Sequence, residues 1–211
     1  MNCKLSQRRK MQSERGFSAT ELVVVVAIIL IVAAITIPNI VQAWYNMELR
    51  ATGDEVASLM QQARILAAKN NAYYTVCYQT NQGMQQVYLN QISLTSTTTC
   101  SYVAGNAQSV DLARQITAAS AAPTGSSPSA YTYSADTTSG TPCDNTCTLA
   151  FGPRGLPCKL DTTTSPATCS TPASSYFVYY FQDSRPNGWA AVLVTKAGRT
   201  KALTWNGSSW N

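Results

Sequence analysis

An apolar run near the amino terminus restricts the folds open to this chain. Residues 22–37 read LVVVVAIILIVAAITI without a charged side chain, and Glu21 stands immediately before them. Phe17 to Ile37 covers 21 residues, which matches the roughly 20 that a helix needs to span bilayer hydrocarbon. A carboxylate carried unpaired into hydrocarbon costs at least about 2.5 kcal/mol, so Glu21 requires a partner or a purpose.

Basic residues cluster ahead of this run. The first 16 residues carry a net charge of +4, and the other 195 carry only +1. A basic segment before an apolar run is typical of an exported or membrane-anchored chain, with the basic end in the cytoplasm. Three outcomes compete: a secretory signal cut after the run, an uncleaved anchor, or cleavage between Gly16 and Phe17. The first fits poorly, because Ala33 and Ala34 lie inside the run rather than after it.

The Gly16–Phe17 junction resembles the class III signal of type IV prepilins and type II secretion pseudopilins. Gly, an aromatic residue and a glutamate four positions later carry the resemblance. It implies that a prepilin peptidase cuts after Gly16 and that Phe17 is N-methylated. It also implies that Glu21 acts in filament assembly, where its carboxylate meets the free amine of a neighbouring subunit. Ala19 and Thr20 depart from the pattern, since bulkier apolar residues are usual there.

The helix is predicted to continue beyond Pro38, which removes one backbone donor and favours a kink. Downstream, apolar residues recur at three- and four-residue steps, the helical period: Val56, Leu59, Met60, Ala63, Leu66 and Ala67. The predicted organisation has four parts: a cleaved leader at 1–16, a membrane or filament-core helix at 17–38, an amphipathic helix at 39–71 and a β-rich head at 72–211.

Two groups of strands are predicted in the head. "AYYTVCY" (72–78) and "QQVYLN" (85–90) flank a Gly-containing loop and indicate a hairpin. Three later segments, separated by Asn-Gly and Ala-Gly turns, predict an antiparallel meander: "YFVYYF" (176–181), "AAVLVT" (190–195) and "TKALTW" (200–205). The expected fold class is therefore α+β and pilin-like, with a long amino-terminal helix packed on an antiparallel sheet.

Residues 93–146 interrupt these strands. Ser, Thr, Ala and Gly dominate the stretch and its periodicity is weak, so we predict an irregular surface insertion. "TLAF" (148–151) is expected to return the chain to the sheet.

Disulfides are the expected use of the cysteines outside the leader: Cys77, Cys100, Cys143, Cys147, Cys158 and Cys169. An even set in an exported domain is typical of disulfide bonding. Proximity favours Cys143–Cys147, Cys158–Cys169 and Cys77–Cys100 among the alternatives. "CDNTC" (143–147) also has a spacing that some zinc sites use, but the surrounding Ser, Thr and Pro suit a disulfide-bonded loop. We therefore expect no metal and no cofactor.

Three further stretches resemble the GspH/FimT branch of minor pseudopilins. "LMQQARILAAKNNAYYTVCY" (59–78) is similar to the passage from helix to strand, "FGPRGLP" (151–157) to an F-x-P-x-G element, and "KAGRTK" (196–201) to a terminal G-R-x-[RK] turn. In the first stretch the match is carried by Arg64, Ala68, Lys69 and Asn70.

This resemblance implies a minor subunit that initiates or caps a type IV pilus or type II secretion filament. The implied location is the inner membrane, with a single-pass helix and the head in the periplasm, followed by the filament. The implied partners are other pilins or pseudopilins, the inner-membrane assembly platform and the prepilin peptidase.

Basic residues near the carboxy terminus raise an alternative function. The final 28 residues carry +4 and no carboxylate, through Arg185, Lys196, Arg199 and Lys201. Some FimT-type minor pilins hold DNA with the terminal turn, which implies DNA binding at Arg199 and Lys201 during DNA uptake. Nearby aromatic side chains either stack on bases or pack within the sheet: Tyr179, Tyr180, Trp189 and Trp205.

An enzyme is not expected. The chain contains no histidine, the commonest general base. Its acidic residues form no close pair in an apolar context, and no glycine-rich phosphate loop or serine nucleophile elbow is present in the sequence.

Overall fold

The computed structural model describes residues 18–81, 84–95, 100, 108–119, 123, 149–161, 164, 166–170, 176–185 and 188–211. The predictions for the leader, the Gly16–Phe17 junction, Cys143 and Cys147 lie outside the described residues, as does most of the predicted 93–146 insertion. The chain divides into two compact units, Met1–Val41 and Gln42–Asn211.

One long helix, α1, runs from Ala19 to Asn70 and includes Pro38, as predicted. In the first unit, the large apolar side chains between Leu22 and Val41 are 40–66% exposed. Among the described residues, α1 is long and apolar enough to cross a membrane, and its apolar window has a mean hydropathy of 2.9 with no residue buried.

The second unit begins with the rest of α1, which buries one face. The buried residues follow the helical period: Leu49, Thr52, Gly53, Val56, Leu59, Met60, Ala63 and Ala67. Asn71 then adopts a left-handed backbone conformation with φ of 48°, and this ends the helix because asparagine tolerates that conformation at a helix terminus.

Among the described residues, six strands form the first antiparallel sheet, in the order β3-β2-β1-β5-β6-β7. The predicted hairpin is present, with Tyr73 opposite Ile92 and Asn81 opposite Met84. The strands are β1 Tyr73–Asn81, β2 Met84–Ile92, β3 Ser109–Asp111, β5 Leu149–Phe151, β6 Pro157–Asp161 and β7 Thr168–Ser170. As predicted, β5 returns the chain to this sheet.

A second antiparallel sheet has the order β10-β9-β8-β4. It contains the predicted meander and one additional strand. Its members are β4 Ile116–Ala119, β8 Tyr176–Asp183, β9 Gly188–Thr195 and β10 Thr200–Trp205.

The prediction of an irregular insertion is wrong for residues 109–119. β3 pairs with β2 and β4 pairs with β8, so this segment supplies an edge strand to each sheet. Leu112 and Ile116 are 1% exposed and belong to the main core. Strands of three and four residues are too short to display a period of two, and their backbone groups are satisfied by ladders with distant strands.

The main core lies between α1 and both sheets, as the alternation along β8 and β9 shows. Odd-numbered residues of β8 and even-numbered residues of β9 face α1: Phe177, Tyr179, Phe181, Ala190, Val192 and Val194. The intervening residues form a second cluster on the opposite face of that sheet. Period-two alternation is what places successive side chains on opposite faces.

Two disulfides join parts of the first sheet. Cys77 of β1 is bonded to Cys100, with their Cα atoms 5.8 Å apart, and Cys158 of β6 is bonded to Cys169 of β7, with their Cα atoms 5.4 Å apart. Both pairs are among the three that proximity favours.

Candidate functional site

Arg64 brings together the three segments that resemble the GspH/FimT branch. This residue lies on α1, and its Nη1 donates a hydrogen bond to the carbonyl oxygen of Gly198 over 3.2 Å. A Cβ placed on Gly155 would lie 3.3 Å from the Cγ of Arg64. The helix, the "FGPRGLP" turn and the "KAGRTK" turn therefore meet at one side chain.

Both turns depend on glycine at the point of contact. The backbone φ is 69° at Gly155 and 76° at Gly198, a region that side chains bearing a Cβ rarely adopt. A Cβ on Gly198 would also lie 3.1 Å from the carbonyl oxygen of Gly155 and 3.1 Å from the Nε of Arg64. The two turns approach this closely because neither glycine carries a side chain.

Further hydrogen bonds fix the β9–β10 turn. The amide of Gly198 donates to the carbonyl oxygen of Thr195 over 2.8 Å, and the amide of Thr195 donates to the carbonyl oxygen of Arg199 over 2.9 Å. On the α1 side, Gln61 Nε2 donates to Thr200 Oγ1 over 2.6 Å, and that hydroxyl donates to the carbonyl oxygen of Ala57 over 3.3 Å. The turn is thus tied to α1 by two side chains as well as by Arg64.

Four cations lie on the two turns. Arg199 is exposed, and Lys196 and Lys201 are half-buried. Arg154 is also exposed, and it immediately precedes Gly155 in the other turn. We call these four residues the double-turn surface. Arg154 is not among the binding candidates predicted from the sequence, although it lies within "FGPRGLP".

Arg185 does not belong with these residues. It follows β8, at the start of the β8–β9 connection, whereas Arg199 follows β9. The eight residues of β9 separate the two connections by about 25 Å at ~3.3 Å per residue. The structure therefore does not bring Arg185 together with the other three predicted DNA-binding residues, because consecutive turns of a meander lie at opposite ends of the sheet.

Instead, Arg185 lies in a network of carboxylates. Its Nη2 lies 2.7 Å from Glu48 Oε2 and 2.7 Å from Asp183 Oδ2, and its guanidinium lies 4.1 Å from the ring centroid of Tyr45. The hydrogen bond to Asp183, aided by Glu48, raises the pKa of Arg185 above its ordinary value despite partial desolvation. This network joins α1 to the end of β8.

The aromatic candidates divide into core residues and partly exposed residues. Tyr179 and Tyr180 are each 2% exposed, and the Tyr179 hydroxyl accepts a hydrogen bond from the Leu149 amide over 3.3 Å. Trp189 and Trp205 are half-buried. For the two tyrosines, therefore, the alternative of packing within the sheet holds.

Glu21 lies in the first turn of α1, and its residue is exposed. Over the described part of the chain, no group of three or more Cys, Asp or Glu side chains is arranged to hold a metal ion. Comparison with protein-family models, curated proteins and solved structures finds no match for this chain.

Proposed function

We propose that this chain is a minor subunit of a pilin-like filament, of the GspH/FimT type, in a type IV pilus or type II secretion system. The observation that carries the proposal is the exposed apolar segment of α1. Between Leu22 and Val41 its large apolar side chains are 40–66% exposed, and burial of such a surface is strongly favourable. The proposed role is structural, without a catalytic step or a cofactor.

Two environments would bury that segment in turn. Before assembly it lies in the inner membrane, with the head in the periplasm. After assembly it lies in the filament core, against the helices of other pilins or pseudopilins. The prepilin peptidase and the inner-membrane assembly platform are the proposed partners in this transfer.

Glu21 favours the transfer of the subunit from the membrane to the filament. A carboxylate next to hydrocarbon is costly unless it is paired, and the amine of Phe17 on a neighbouring subunit would supply the pair after cleavage. Pairing then stabilises the subunit only at the correct axial position. The convergence of three family-like segments at Arg64 supports the choice of branch, because segments remote in sequence share one local structure.

Mass spectrometry of the mature amino terminus tests the processing step. We expect a chain that begins at N-methylated Phe17 in cells with an active prepilin peptidase, and a chain that keeps residues 1–16 in cells without the enzyme. An intact leader in peptidase-proficient cells would refute the proposal.

A second test addresses assembly. Glu21→Gln is expected to leave membrane insertion unchanged and to reduce recovery of the chain in sheared filaments at least tenfold. Glu55→Gln is a matched control, since Glu55 is another exposed glutamate of α1. Equal recovery of the two variants would contradict the role assigned to Glu21.

Binding of DNA during uptake is a second candidate function. It is favoured by the exposure of Arg199 on a turn that contains no acidic side chain. Hydrogen bonds also attach this turn to α1. A gel shift across salt concentrations with Arg199→Ala and Lys201→Ala tests it, because phosphate contacts give salt-dependent, sequence-independent affinity. Unchanged retention in both variants would end this candidate.

A further inference from the structure

We propose that the double-turn surface binds the phosphate backbone of a nucleic acid through two separate turns, with Arg154 supplying a contact that the terminal turn lacks. The proposal rests on the second candidate function and extends it to a residue outside the terminal turn. Arg154 lies 45 positions before Arg199 in the sequence, so no continuous motif contains both.

The glycine contact limits the distance between the Cα atoms of the two arginines. Each arginine is the direct neighbour of a glycine, and a Cβ on Gly198 would lie 3.1 Å from the carbonyl oxygen of Gly155. Consecutive Cα atoms are 3.80 Å apart, so the Cα atoms of Arg154 and Arg199 are at most about 15 Å apart. Both backbones are held by the turn hydrogen bonds, which makes this spacing a property of the fold.

The two turns are basic in sequence. Residues 152–157 and 195–201 contain four cations and no carboxylate. Within the described part of the chain, neither Arg154 nor Arg199 takes part in an ion pair, whereas Arg185 pairs with Glu48 and Asp183. Guanidinium groups bind phosphate oxygens in bidentate fashion, so these two side chains are suited to that ligand.

A phosphate polymer fits this arrangement better than a lipid surface does. Two arginines on backbones held close together can contact phosphates that recur at fixed intervals along one strand. Mobile lipid headgroups place no requirement on that spacing. Residues 152–157 and 195–201 contain no aromatic residue, so stacking on bases is not expected from them, and binding should be indifferent to sequence and tolerant of duplex DNA.

The test measures the affinity of the full-length protein in detergent for a short random-sequence duplex, by fluorescence anisotropy at several salt concentrations. Arg154→Gln and Arg199→Gln are each expected to reduce the slope of log K against log salt by about 0.9, and the double variant by about twice as much. Arg50→Gln is the matched control, because Arg50 is exposed and lies 14 residues, or about 21 Å, along α1 from Arg64. Its slope should equal that of the wild type.

Each outcome decides between the two claims. If the wild type does not bind the duplex, the second candidate function fails and this inference fails with it. If the wild type binds and Arg199→Gln weakens binding, an Arg154→Gln slope equal to wild type overturns this inference alone. Binding to phosphatidylserine vesicles with no binding to the duplex would overturn the assignment to nucleic acid.

Discussion

Removing the Arg185 side chain should destabilise the head more than neutralising its partner Glu48. Asp183 is fully buried. Its Oδ1 accepts hydrogen bonds from the Arg185 amide over 2.9 Å and from Nε over 3.0 Å, and its Oδ2 accepts one from Nη2 over 2.7 Å. Arg185→Met would leave the carboxylate buried with one of these three hydrogen bonds.

The expected magnitude follows from this geometry. Breaking a buried ion pair by removing one partner costs about 3–5 kcal/mol. The Arg185 side chain is 24% exposed and the backbone hydrogen bond survives, so we expect a loss of about 2–3 kcal/mol. Glu48 is 33% exposed, so Glu48→Gln should cost at most about 1 kcal/mol, as partly exposed pairs generally do.

Thermal unfolding of the full-length protein, followed by near-ultraviolet circular dichroism, measures the difference. For a chain of this size, 1 kcal/mol corresponds to a change in Tm of about 2–4 °C. Arg185→Met should therefore lower Tm by about 4–12 °C, and Glu48→Gln by less than about 4 °C.

A double variant isolates the cause. Adding Asp183→Asn to Arg185→Met should recover part of the loss in Tm, because the buried side chain left without its arginine partner is then neutral. Two results would refute the reasoning: a Tm for Arg185→Met equal to that of Glu48→Gln, or no recovery in the double variant.

Three other outcomes are expected. Gly198→Ala should lower the free energy of unfolding by at least about 1–2 kcal/mol, the cost of a left-handed residue with a Cβ. The loss should exceed that of Gly207→Ala, since a Cβ on Gly207 meets nothing within 4 Å. Equal denaturation midpoints for the two variants would contradict the close contact at Gly198. Burial raises the pKa of Tyr78 and Tyr179 above 10.0. The protonated phenols therefore stabilise the fold below pH ~10, and this contribution is lost at higher pH. The free energy of unfolding should then fall by up to about 1.4 kcal/mol per pH unit for each tyrosine. Tyr179→Phe should make stability less dependent on pH in that range, as measured by unfolding alongside phenolate absorbance, and an unchanged dependence would be evidence against the assignment. Replacing Cys77 and Cys100 with Ser should lower the free energy of unfolding by about 3 kcal/mol. Replacing Cys158 and Cys169 should lower it slightly less, because the sequence separations are 23 and 11. The opposite order of denaturation midpoints would count against loop closure as the cause.

Features controlled by neighbouring residues were predictable from the sequence. The extent of α1 follows from an apolar run and a helical period that continue across Pro38. The β1–β2 hairpin and the β8–β9–β10 meander follow from long strands separated by turn residues. These signals are local, since periodicity and turn chemistry act over fewer than ten or so residues.

Several short strands escaped prediction, although the three-residue β5 was expected from "TLAF". β3, β4 and β7 have three or four residues each, too few for a period to emerge. The pairing partners of β3 and β4 are remote in sequence, as where β4 pairs with β8. The division of the strands into two sheets was missed for the same reason.

The sequence alone determined the apolar helix, the cations and the glycines, because these are properties of residue type and order. Only the tertiary structure decided which arginine does what. Arg64 contacts Gly198 across 134 positions, and Arg185 contacts Glu48 across 137. Hydrogen bonds and ion pairs act over a few ångströms, so the role of a charged side chain depends on which distant residue the packed sheets bring within that range.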